Sequence, residues 1–138
     1  MAVLTDSVNV EEKDGVLIDS PVAVDIIYRG AMVMYNAAGF LAPALTGAGN
    51  VFAGIAEEEV DNSLGAAGDK SCKHKVEGSY LLTGAGFAQT DVGSSAYASD
   101  DQTITLTSTN NPLVGQIVQF VSATQVWVKL ERNPAAAA

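Results

Sequence analysis

The chain has 138 residues and a mass of 14.2 kDa, which is the size of one domain. Hydrophobic residues make up 48% of it and charged residues 17%, which excludes an intrinsically disordered chain. Asp and Glu outnumber Lys and Arg by 16 to 7, so the net charge is −9. Nucleic-acid phosphates repel such an acidic chain, and we therefore expect no nucleic-acid partner.

The chain offers few reactive side chains. Its single cysteine, Cys72, cannot form an internal disulfide, and a four-ligand zinc site is excluded as well. Its single histidine, His74, leaves few options for acid–base chemistry at neutral pH. These counts make an enzyme the weaker interpretation, and we expect no cofactor and no bound metal.

No segment carries a targeting or membrane signal. Residues 1–6 show neither the basic region nor the apolar region of a secretory signal. No apolar run reaches the roughly 20 residues that a membrane-spanning helix needs. We therefore expect the chain to fold in the cytosol, without a membrane partner.

The two ends differ in composition from the region between them. Residues 1–20 are acidic and carry only scattered apolar side chains, which favours an extended arm that a partner orders. An edge strand preceded by a disordered terminus is the alternative. Residues 133–138 (NPAAAA) are typical of a flexible tail. The predicted organisation is thus an arm over 1–20, a β domain over 21–132 and a tail over 133–138.

The first part of the β domain shows the pattern of short strands. Apolar residues alternate from Val22 to Tyr28, a period of two that predicts a strand. Residues 31–35 predict a second strand, and residues 36–39 (NAAG) a turn. Another strand is expected over 51–60. Residues 70–76 and 79–82 predict a hairpin around Glu77 and Gly78.

The last third gives the clearest pattern. Ile104 and Leu106 alternate with threonines, which predicts a strand with one core face and one hydroxyl face. Residues 113–121 and 125–130 predict two strands joined by a turn at 122–124, with Trp127 on the less apolar face of the second. Since no segment shows a helical period with caps, the fold is expected to be all-β, either a small β-barrel or a β-sandwich.

Two clusters could bind a metal, and both have a simpler interpretation. Cys72 and His74 share a strand face, but three nearby lysines oppose a cation, which favours a small buried cysteine and a half-buried histidine. Residues 57–59 (EEE) with Asp61 could hold calcium weakly. The calcium-loop pattern is absent, and successive strand residues point to opposite faces. A solvated strand end is the favoured interpretation.

Charge clustering and one aromatic residue suggest an interface. Three of the seven cations lie within residues 70–75, and they could pair with the acidic cluster of another copy, although a solvated strand face is the more ordinary interpretation. Trp127 is a plausible interface anchor, or it caps one end of the core. The predicted interface residues are Lys70, Lys73, Lys75, Glu57, Glu58, Asp61 and Trp127.

The order of these pieces resembles that of tailed-phage capsid decoration proteins, over residues 22–130. Residues 25–33 (DIIYRGAMV) and 51–56 (VFAGIA) are similar to the front half of that family, and residues 77–82 (EGSYLL) to its middle strand. Four further segments of this chain are similar to the last part of that family: residues 91–93 (DVG), 96–97 (AY), 112–118 (PLVGQIV) and 126–130 (VWVKL).

The resemblance implies a cement protein that binds the outer capsid surface and stabilises the shell. It implies a homotrimer at local three-fold points, the major capsid protein as partner, a terminal arm reaching neighbouring subunits, and a virion location after assembly in the host cytoplasm. It carries over no catalytic residue. Two other classes stay open. One is a fibre, adhesin or other surface-binding module without catalysis, and the other is an enzyme using carboxylates among Glu57, Glu58, Asp61 and Asp100.

Overall fold

The computed structural model describes residues 17–130, and this part of the chain is all-β with one short 3-10 helix, η1 (Gln89–Asp91). Twelve strands are formed in it. Their bounds are β1 (Leu17–Pro21), β2 (Ile26–Ile27), β3 (Met32–Tyr35), β4 (Leu41–Pro43), β5 (Val51–Ala56), β6 (Val60–Asp61), β7 (Ser71–Lys75), β8 (Ser79–Thr83), β9 (Ser95–Ala98), β10 (Ile104–Thr105), β11 (Leu113–Ser122) and β12 (Gln125–Leu130).

The strands form two five-stranded antiparallel sheets and one small sheet. The N-terminal sheet has the order β1-β7-β5-β3-β4, and the C-terminal sheet has the order β10-β9-β11-β12-β8. The short strands β2 and β6 pair separately. The ladder pairing does not close either large sheet into a barrel in the described residues, because the two edges of each sheet meet only at an isolated parallel bridge, Val22 with Leu41 and Thr83 with Thr103.

One shared core lies between the two large sheets. Strand β12 faces this core with one side, because alternate residues of a strand point to opposite faces: Val126, Val128 and Leu130 are buried, whereas Trp127 and Lys129 are exposed. The N-terminal sheet contributes apolar side chains from β3, β4 and β5 to the same cluster. The largest fully buried members are Met32, Ile104, Ile117, Val114, Val126 and Val128.

A second core cluster covers the other face of the N-terminal sheet. It joins Val33, Leu41 and Cys72 of that sheet to Ile27 and Val60 of the small sheet. Strand β3 is therefore covered on both faces, which explains why its sequence is a continuous apolar run and does not alternate.

The arm prediction is wrong for its last four residues, where the alternative of an edge strand is formed instead. Leu17–Pro21 form the edge strand β1, which pairs along its whole length with β7, from Leu17 opposite Lys75 to Pro21 opposite Ser71. Ser20 is buried and contacts the His74 ring, so this part of the chain belongs to the domain. The rest of the predicted arm, residues 1–16, and the predicted tail, residues 133–138, lie outside the described residues.

The predicted hairpin at residues 70–82 is also wrong. Strand β7 belongs to the N-terminal sheet and β8 to the C-terminal sheet, so residues 76–78 carry the chain from one sheet to the other. Gly78 makes this possible with a φ of +108°, a region that other residues rarely adopt.

Three predicted strands are shorter in the structure. Only Ile26–Ile27 of the first form a strand, since Val22 makes an isolated bridge to Leu41 and the chain bends at Val24 and Asp25, where the Asp25 carboxylate accepts the Ile26 N–H. The strand over 51–60 divides into β5 and β6 around residues 57–59. Only Ile104–Thr105 of the threonine-rich segment form a strand, with Thr103 in an isolated bridge to Thr83. Leu106 is 40% exposed, so it does not share the core face of Ile104.

Candidate functional site

The two charged clusters predicted to pair between copies lie side by side in one chain. Strand β7 is hydrogen-bonded to β5, and the acidic residues follow directly after β5. An ion pair of 3.5 Å joins Lys75 Nζ to Glu57 Oε2. The Lys73 N–H donates to Glu58 Oε1 at 3.3 Å, and Lys70 Nζ donates to the backbone oxygen of Asp61 at 2.7 Å.

Of these three contacts, only that of Lys75 with Glu57 pairs a lysine ammonium with a carboxylate. The side chains of Lys75 and Glu57 are 42% and 43% exposed, and a surface ion pair of this kind contributes little to stability. Hydrogen bonds from the Ser63 hydroxyl and the Ser63 N–H lower the pKa of Asp61. The role of these six charged residues at an interface stays a prediction.

Trp127 lies on an apolar outer surface of the C-terminal sheet. Its neighbours across the strands are Leu81 on β8 and Gln119 on β11. Leu81 is 41% exposed, Trp127 36%, and Val118 and Val121 of β11 are 42% and 47% exposed. We call the surface formed by Leu81, Val118, Val121 and Trp127 the neutral face.

The charge around the neutral face is unlike that of the whole chain. Strands β8, β11 and β12 contain no acidic residue, and Lys129 is the one charged residue among them. The polar side chains among these strands are mainly Gln, Ser and Thr. Large exposed side chains in such surroundings are typical of a surface that contacts another protein.

His74 and Cys72 are buried and do not form a metal or nucleophilic site. His74 is fully buried, where half-burial was predicted. Its Nδ1 lies 2.7 Å from the Ala53 oxygen and its Nε2 lies 2.8 Å from Ser20 Oγ. Because Nδ1 faces a carbonyl, it must carry the proton, and Nε2 accepts from the Ser20 hydroxyl. The ring ties β7 to both neighbouring strands.

The Cys72 thiol is held in an unreactive state, as the buried interpretation predicted. Burial, reinforced by the Glu58 charge, raises its pKa to about 11. Its Sγ lies 3.6 Å from the Glu58 oxygen and 3.5 Å from the Lys73 oxygen. Only the thiolate is a good nucleophile, so this thiol cannot serve as one near neutral pH.

The carboxylates considered for an enzyme do not form one cluster. Glu57, Glu58 and Asp61 follow β5 in the N-terminal sheet, whereas Asp100 lies between β9 and β10 of the C-terminal sheet. The Asp100 carboxylate accepts the Gln102 N–H at 2.9 Å. Within residues 17–130, no group of three or more His, Cys, Asp or Glu side chains is placed to hold a metal ion.

A cavity that the sequence patterns did not reveal lies between β6 and β7. Its volume is about 370 Å³, and its lining residues are Asp61, Asn62, Leu64, Gly65, Asp69 and Lys70. We call it the Asn62 cavity. The signal available in the sequence was a short polar loop, DNSLGAAGDK over residues 61–70, which is typical of an ordinary turn. Only the fold shows that Asn62, one of the lining residues, is buried.

Comparisons with protein-family models, with curated proteins and with solved structures find no significant match to the chain. No helix in the part of the chain from residue 17 to residue 130 has the length and apolar character needed to cross a membrane.

Proposed function

We propose that this protein is a structural protein of a virion, which binds the outer capsid surface and stabilises the shell as a cement protein. Its location is then the capsid surface, after assembly in the host cytoplasm. The resemblance of residues 22–130 to capsid decoration proteins supports the proposal, and so does the all-β fold. The observation that carries it is the neutral face, an exposed apolar surface on an otherwise acidic chain.

The neutral face is suited to contact the major capsid protein. The chain has a net charge of −9, so contacts through its charged residues depend on the charge of the partner. Leu81 and Trp127 are uncharged and exposed, and they can be buried against a partner with little electrostatic cost. Tryptophan is the side chain most often found to dominate binding energy at interfaces. A stable interface buries roughly 800 Å² on each partner, so surrounding polar residues of β8, β11 and β12 would contribute as well.

Homotrimer formation would strengthen this contact. A domain of 14.2 kDa offers limited surface, and three linked copies would bind the shell together, so that weak contacts act as one strong contact. Three chains carry a combined charge near −27, a repulsion that the buried apolar contacts must outweigh. Residues 1–16 would provide the arm that reaches a neighbouring capsid subunit.

The test is to add the purified protein back to particles that lack it. Trp127→Ala should weaken binding to the shell by about 30-fold or more, because an anchor of this type contributes about 2 kcal/mol or more. Tyr28→Ala is the matched control, since Tyr28 is an exposed aromatic residue, 55% accessible, outside the neutral face. Binding is measured by electron microscopy of the particles and by sedimentation of bound protein.

Stabilisation is measured separately, as the temperature or osmotic shock at which particles rupture. We expect the wild-type protein and Tyr28→Ala to raise this threshold, and Trp127→Ala to fail at equal concentration. An unchanged threshold at full occupancy would reject the cement function. Equal binding of Trp127→Ala and the wild type would reject the neutral face as the contact. Absence of any binding to particles would favour a fibre or adhesin module.

A further inference from the structure

The Asn62 cavity is built around a fully buried amide. The Asn62 side chain is 1% exposed, and its Nδ2 donates to the backbone oxygens of Val22, Ala23 and Ala66 at 3.1, 3.1 and 3.0 Å. All three partners are acceptors, so the orientation of the amide group is determined by its hydrogen bonds. Oδ1 must therefore point away from these carbonyls.

Asn62 Oδ1 has no hydrogen-bond partner although it is buried. Native proteins rarely leave such an atom unpartnered, unless water or an ion binds it. The oxygen faces Gly65, where an added Cβ would lie 2.5 Å from Asn62 Oδ1 and 3.1 Å from Asp69 Oδ2. Since position 65 has no side chain, an amide oxygen and a carboxylate oxygen approach the same small region.

The charges around this region attract a cation. Asp61 and Asp69 both line the cavity, and Oδ1 of the Asp61 carboxylate accepts the Ser63 N–H and hydroxyl. The ammonium of Lys70 also lies there, with its Nζ 2.7 Å from the Asp61 backbone oxygen. The Lys70 ammonium thus lies beside these oxygens, and a divalent cation would compete with it for them.

We propose that the Asn62 cavity is a weak calcium site, in which Asn62 Oδ1 and the Asp69 carboxylate bind the ion and the Lys70 ammonium withdraws. Calcium accepts amide and carboxylate oxygens together and fills its remaining positions with water. Magnesium requires near-ideal octahedral geometry and keeps its own waters, so it fits an irregular loop poorly. A site with so few charged ligands should bind calcium with a dissociation constant of about 10⁻⁴ to 10⁻³ M.

This inference departs from the expectation that no metal is bound, and it does not depend on the proposed capsid function. The sequence lacks a calcium-loop pattern, because the two proposed ligands, Asn62 and Asp69, lie seven positions apart and not at the alternating spacing of that pattern. Because one proposed ligand is negatively charged and the neighbouring lysine is positively charged, substitutions of the two should change calcium affinity in opposite directions. Removing the Asp69 charge should weaken calcium binding, whereas removing the Lys70 charge should strengthen it.

The experiment is calcium titration of the full chain, followed by calorimetry and by thermal unfolding. Saturating calcium should raise the melting temperature by about 3–6 °C at ten times the dissociation constant, and magnesium at the same concentration should not. Asp69→Asn should weaken calcium binding about tenfold, and Lys70→Gln should tighten it several-fold. Both side chains are exposed, so these variants should fold, whereas substitution of Asn62 would remove three structural hydrogen bonds.

Asp91→Asn is the matched control. Asp91 Oδ2 accepts the N–H of the residue three positions before it at 2.8 Å, as Asp69 Oδ2 does, but Asp91 lies outside the cavity. The control should therefore keep the wild-type calcium affinity. The proposal is overturned if calcium leaves the wild-type melting temperature unchanged, if magnesium acts equally, or if Lys70→Gln fails to bind more tightly than the wild type.

Discussion

The buried histidine predicts how the stability of the fold depends on pH. Burial lowers the pKa of His74 below its ordinary value of 6.5, while the hydrogen bond to Ala53 and the charge of Asp19 oppose this shift with smaller effects. The ring also contacts Tyr35 edge-on, at 6.1 Å between ring centres. His74 is therefore neutral in the fold at pH 7, with Nδ1 protonated and Nε2 accepting from Ser20.

The direction in which pH changes the free energy of unfolding follows from how many protons the folded and unfolded chains bind. Since the pKa of His74 is lower in the fold than in the unfolded chain, the unfolded chain binds more protons below pH 6.5. The free energy of unfolding is therefore at its full value above pH 6.5 and falls as the pH decreases toward the lowered pKa. The slope is at most about 1.4 kcal/mol per pH unit. Acidification to about pH 5.5 should lower the melting temperature by up to about 3–6 °C.

The measurement is thermal unfolding from about pH 7.5 to about pH 5.5, a range in which most carboxylates stay ionised. His74→Gln keeps a polar side chain but cannot titrate, so its melting temperature should change much less over this range. Ser20→Ala should lower stability by about 1–3 kcal/mol and keep the pH slope, because burial is the main cause of the shift. Equal slopes in the wild type and His74→Gln would refute the reasoning.

The remaining predictions concern the core, one glycine and the thiol. Ile117→Ala should lower the free energy of unfolding by about 2–5 kcal/mol in chemical denaturation, because Ile117 is 1% exposed. Val118→Ala is the control, since Val118 is 42% exposed, and it should lower that free energy by less than about 1 kcal/mol. Similar losses in the two variants would contradict the core assignment. Gly54→Ala should cost at least about 2 kcal/mol, since its φ is +126° and a Cβ would collide with a carbonyl of β7. Gly30→Ala, with φ of +83° and open space, should cost only about 1–2 kcal/mol by the same assay. Cys72 should react with a thiol reagent at pH 8 only after unfolding, and fast labelling of the native protein would show that it is accessible.

Strands β11 and β12 of the C-terminal sheet were predictable because one side of that sheet faces solvent. Val126, Val128 and Leu130 alternate with exposed residues, which makes the period of two visible in the sequence. The turn at residues 122–124 was placed correctly for the same reason. Trp127 on the outer side of β12 follows from the same alternation.

The pairing of the strands could not be predicted from local patterns. Nothing in residues 70–82 shows that β7 and β8 belong to different sheets, because both neighbours of β7 are distant in sequence. The His74 contacts depend on this pairing, since Ser20 and Ala53 are contributed by β1 and β5. The Asn62 cavity is another case, because the three carbonyls that orient its amide come from two separate segments.

Because the charged clusters contact each other within one chain, a different surface is better suited to bind another copy of the protein. Lys75 and Lys70 already have partners in their own chain, so an ion-pair interface between copies would first have to break these contacts. Each chain keeps a net charge of −9, and approaching chains repel one another. The neutral face is where such repulsion is weakest, because its strands contribute no carboxylate. Salt screens repulsion between exposed charges, so an association through the neutral face should tighten with salt, whereas an ion-pair interface would weaken.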